Sequence, residues 1–74
     1  MSFRHVKAGD TVIRMLAGVI PMELKVTEVD EHLIYCGPVG VGWSFDRETG
    51  AEVDDELQWG PAYGRTGSQL VEST

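Results

Sequence analysis

Apolar and polar positions alternate with a period of two through much of the chain, the pattern of strands with one dry and one wet face. It is clearest from Trp43 to Asp54. Trp43 and Phe45 alternate with Ser44 and Asp46, and Ala51 and Val53 alternate with Glu52 and Asp54. The segment reads as a β-hairpin whose turn holds Gly50 in a left-handed, bulged position. Setting Phe45 opposite Ala51 and Trp43 opposite Val53 brings every apolar side chain to one side, whereas a slip of one residue sets Phe45 against Glu52. The expected register therefore pairs Phe45 with Ala51 and leaves Glu52 and Asp54 on the wet face.

The same reading predicts a first strand over residues 11–16, entered through a turn at Ala8-Gly9-Asp10. A second runs over residues 22–29, with Met22, Leu24 and Val26 on one face and Glu23, Lys25 and Thr27 on the other. Val29 falls out of phase, which predicts a bulge near Thr27 or Glu28. Residues 33–36 are short and almost wholly apolar, as a mid-sheet strand is. Gly37, Gly40 and Gly42 mark a flexible connection into the Trp43 hairpin. Beyond Val53, Asp54 or Asp55 is placed to cap a single helical turn that Gly60-Pro61 stops. Residues 61–74 form an irregular segment in which residues 69–72 can add a last edge strand.

Five short strands in about sixty residues with turn signals between them resemble the layout of SH3-like small barrels. Ala8-Gly9-Asp10-Thr11-Val12, followed by Pro21-Met22 and Leu24-Lys25-Val26, is similar to the opening of uncharacterised small bacterial proteins of that type. This resemblance spans the first half of the chain and carries over no functional residue. It implies an all-β, five-stranded SH3-like barrel of antiparallel strands with at most one short helical turn, a single domain whose core spans about residues 8–60.

Composition narrows the function classes. With 74 residues a single core leaves only roughly 3–5 kcal/mol of net stability, so a disulfide, a metal or a partner subunit is the expected support. Cys36 is alone, which excludes an intrachain disulfide and fits a reducing cytoplasm. Arg4, His5, Lys7, Asp10 and Arg14 interrupt the first twenty residues, so neither a signal peptide nor a membrane span is expected there. Twelve acidic against six basic residues give a net charge of −6, which repels phosphate backbones and argues against nucleic acid as a partner. Self-association into a homo-oligomer is the support left open.

Candidate chemistry is sparse. The carboxylates from Asp46 to Glu56 lack the spacing of a calcium loop, since the glycine would fall one place after Gly50 and the closing glutamate at Leu57. His32 and Cys36 on one strand stand roughly 13 Å apart, too far to share an ion. Cys36, ending an apolar strand, reads as an inert core residue rather than a nucleophile. The glycines from Gly37 to Gly42 precede a strand rather than a helix, unlike a phosphate-binding loop. No metal or cofactor is expected. Trp43 reads as core, whereas Trp59 and Tyr63 sit in a glycine-flanked irregular segment where rings line grooves or subunit contacts. The expected function is a non-enzymatic interaction module that self-associates and binds a protein or peptide partner through this aromatic loop. The alternative is a small-molecule binder or modest enzyme whose site forms between subunits from Asp54, Asp55, Arg65 and Tyr63.

Overall fold

In the computed structural model, which describes residues 3–37 and 42–73, six antiparallel strands curl into a nearly closed barrel. They are β1 (Thr11–Leu16), β2 (Ile20–Val29), β3 (Leu33–Cys36), β4 (Trp43–Asp46), β5 (Glu52–Val53) and β6 (Ser68–Ser73). Their order is β5-β4-β3-β2-β1-β6, so β3 is the mid-sheet strand its apolar run predicts. The possible edge strand at residues 69–72 is β6, and it pairs with β1. It also closes the barrel: Ala51 bridges to Gln69, and Leu70 N–H donates to Gly50 O at 2.7 Å. The sheet thus has six strands rather than five because the last segment is needed to cover both edges. Among the described residues there is no helix.

Alternation sets the core. Inward positions of successive strands supply Val12, Leu24, Val26, Ile34, Cys36, Phe45 and Leu70, and Val6 from the amino-terminal segment joins them; all are buried. The out-of-phase Val29 has the expected cause, a register shift between Val26 and Glu28. Arg47 ties the amino-terminal segment down: its Nη1 donates to Asp30 O at 2.7 Å and its Nη2 to Arg4 O and Val6 O at 3.0 and 3.1 Å. One side chain thereby links three segments distant in sequence. Of the glycine-rich connection only Gly37 and Gly42 are described; Gly40 lies outside the described residues.

The hairpin register differs from expectation. Ser44 pairs with Val53 and Phe45 with Glu52, the slipped alternative, and Glu52 is buried rather than on a wet face. Two causes act together. The turn at residues 47–50 takes four residues, closed by Asp46 N–H on Ala51 O at 2.7 Å and Gly50 N–H on Asp46 O at 2.8 Å, with Gly50 at φ 83°. Across the barrel Arg14 also points inward, and its Nη2 and Nε lie 2.9 and 3.0 Å from Glu52 Oε1. The guanidinium sits over the Trp43 ring, 5.3 Å from its centroid, so the buried charge is paired on one side and stacked on the other.

Candidate functional site

Between β5 and β6 the chain leaves the barrel in two consecutive tight turns over residues 54–65. Asp54 and Trp59 pair at the base of the first, and Gly60 and Arg65 at the base of the second. The expected capping role of Asp54 is present: its Oδ1 accepts the N–H groups of Glu56 and Leu57 at 3.0 and 3.2 Å. The segment it caps is a four-residue turn, not a turn of helix, because Trp59 N–H returns to Asp54 O at 2.9 Å and Gln58 takes a positive φ of 58°.

The predicted site residues Asp54, Asp55, Trp59, Tyr63 and Arg65 all lie in this excursion, but they do different things. Trp59 is half-buried and its ring occupies the space where a Cβ at Gly67 would stand, so it packs against backbone rather than lining an open groove. Arg65 is spent locally, its Nε and Nη2 donating to the carbonyls of Gln58 and Leu57 at 3.2 Å each. Tyr63 stays exposed while its hydroxyl donates to Asp55 Oδ1 at 3.0 Å, a bond that, with burial second, raises the phenol above its ordinary value. The Tyr63–Asp55 and Arg65–Leu57 contacts therefore brace one turn against the other.

This bracing leaves two apolar side chains in solvent, Leu57 at 47% and Tyr63 at 44% exposed. Leu57 was not among the expected residues, although an apolar residue inside Asp54-Asp55-Glu56-Leu57-Gln58 is itself a signal, since a capped polar turn has no inward face to bury it. The excursion stands on the barrel through two contacts. Gly60 lies over Val53, explaining why that outward-facing valine is half-buried, and Trp59 covers Gly67. A groove of about 400 Å³ runs along its base between Ala51, Gly60, Arg65, Thr66 and Gln69.

Elsewhere the chemistry is quiet. The Cys36 thiol is pushed up to about 11 by burial, so at neutral pH it is protonated and a poor nucleophile. Among the described residues no group of three or more His, Cys, Asp or Glu could hold a metal ion, and no helix is long and apolar enough to cross a membrane. Comparison with protein-family models, curated proteins and solved structures returned no match.

Proposed function

We propose that the protein is a non-enzymatic interaction module whose excursion at residues 54–65 docks a protein or peptide partner. The observation that carries this is a braced pair of turns holding Leu57 and Tyr63 in solvent. Apolar and aromatic side chains fixed before binding lose little entropy on contact, which is what distinguishes an anchor from a mobile loop. A reducing cytoplasm belongs to the same reading, supported by the lone Cys36. The alternative of a polar-ligand site built on Asp54 and Arg65 draws less support, because the Asp54 carboxylate and the Arg65 guanidinium are already engaged with backbone of the first turn.

The test compares wild type with Tyr63→Ala and Leu57→Ser as baits in extracts of the producing cells. Both variants should keep the wild-type melting temperature to within the effect of about 1 kcal/mol, since neither side chain is buried. A partner retained by wild type should be lost by roughly tenfold or more from each variant, the scale of a central aromatic anchor. Equal retention by all three proteins would sink the reading.

A further inference from the structure

Inside the barrel the chain shows what an aromatic ring and a carboxylate hold when they stand together. Arg14 lies over the Trp43 ring, 5.3 Å from its centroid, and donates to Glu52 Oε1 from Nε and Nη2 at 3.0 and 2.9 Å. A guanidinium suits this double contact, because its planar face stacks on a π-system while its edge carries the N–H donors. The docking excursion sets the same two kinds of group side by side at the surface. Tyr63 and Asp55 are both exposed, and the Tyr63 hydroxyl donates to Asp55 Oδ1 at 3.0 Å. An ionised carboxylate accepts at about four lone-pair sites, so Asp55 has room for a further donor beside the ring.

Charge around this pair is mostly negative. Asp54, Asp55 and Glu56 are consecutive, and none of them belongs to the ion pairs among the described residues, which join Arg4 to Glu48, Lys7 to Asp10 and Arg14 to Glu52. Arg65 is the cation of the excursion and keeps its charge. It donates to the carbonyls of Gln58 and Leu57 rather than to a carboxylate, so three carboxylates against one guanidinium leave residues 54–65 at −2. Leu57, 47% exposed, follows Glu56 directly and adds an apolar contact to the acidic turn.

Building on the docking reading above, we propose that the partner is an arginine-bearing peptide segment, its guanidinium set on the Tyr63 ring and the Asp55 carboxylate and a neighbouring apolar side chain set on Leu57. Charge complementarity selects this occupant. An excursion at −2 on a chain at −6 draws a cationic segment during approach and turns away acidic segments and a second copy of the chain. A lysine meets the charge but has no planar face to lay on the ring while it donates, so it binds less tightly than arginine at the same position.

Amide-shift titration of the full chain tests this with a short, end-blocked peptide alternating leucine and arginine, set against the same peptide carrying glutamine for arginine. Shifts should saturate and fall on residues 54–65, with the arginine peptide bound roughly tenfold more tightly than the glutamine one. Added salt should narrow that gap. Asp55→Asn with Glu56→Gln, which keeps a side-chain oxygen for the Tyr63 hydroxyl, should abolish the preference at an unchanged melting temperature. Leu57→Ser should weaken both peptides alike and leave the preference in place. Shifts spread over carboxylates elsewhere, such as Glu23 and Glu28, overturn the proposal, as do no shifts up to about 1 mM peptide or a preference that survives in the isosteric variant. Equal binding of the two peptides at residues 54–65 also overturns it while leaving the docking reading intact, so the two fail separately.

Discussion

Arg14 and Glu52 are 38 residues apart in sequence and meet inside a barrel whose other buried side chains are apolar apart from Ser68. Desolvating two charges costs several kcal/mol per ion, so such a pair contributes little net stability over a hydrophobic replacement. What it contributes is discrimination between registers. The alternative pairing of Phe45 with Ala51 would turn Glu52 to solvent and leave the Arg14 guanidinium buried without its carboxylate. Glu52→Leu alone should therefore cost about 3–5 kcal/mol, while Arg14→Met combined with Glu52→Leu should return close to wild-type stability. Urea unfolding of wild type, both single variants and the double variant measures the coupling. If the single-variant losses simply add in the double variant, the two residues do not act as a unit.

At the scale of elements, one turn recurs three times. Residues 46–51, 54–59 and 60–65 each close a four-residue loop between paired ends, and the last loop residue of each has positive φ: Gly50 at 83°, Gln58 at 58° and Gly64 at 72°. Asp46 and Asp54 cap their loops in the same way, each accepting the N–H groups two and three residues on. The middle copy departs from the pattern by placing a side chain where glycine fits best. Gln58→Gly should stabilise the fold by about 0.5–1 kcal/mol, whereas Glu56→Gly, at a residue without positive φ, should not. A higher urea midpoint for the first variant only is the expected result; equal midpoints for both would mean that Gln58 carries no strain. The strands, the bulge beside Thr27 and the conformation of Gly50 were legible in sequence because each depends on neighbours a few residues away. The register of the Trp43 hairpin was not, since Arg14 decides it from across the barrel. Within the site, the aromatic segment was found from its composition, but the covering of Gly67 by Trp59 and the use of Arg65 on carbonyls arise only when two turns are folded together.

For the molecule as a whole, carboxylates held by native hydrogen bonds make stability sensitive to acid. Asp30 is held below the ordinary carboxylate range, first by the N–H groups of Leu33 and His32 and then by the Tyr35 hydroxyl; Asp10 is lowered chiefly by the Lys7 N–H. A carboxyl with a lowered folded value stabilises the fold fully above its unfolded value, and that contribution is lost as pH falls through the folded one. The melting temperature should therefore begin to drop below about pH 4, and less steeply in Asp30→Asn than in wild type. Parallel slopes for the two proteins would remove Asp30 from the account. At the alkaline end the same bond keeps the Tyr35 phenol protonated beyond its ordinary value.

The two ends of the excursion are neighbours: Thr66 Oγ1 lies 3.1 Å from Glu52 O, and the barrel has already closed beneath them through Ala51 and Gln69. Strand pairing on either side is thus independent of what lies between residues 54 and 65, apart from the cover that Gly60 gives Val53 and Trp59 gives Gly67. Because loop-closure entropy changes only slowly with length, sequence drift, lengthening or grafting at this position leaves the frame intact. A chain built this way is free to change what it meets without having to learn again how to fold.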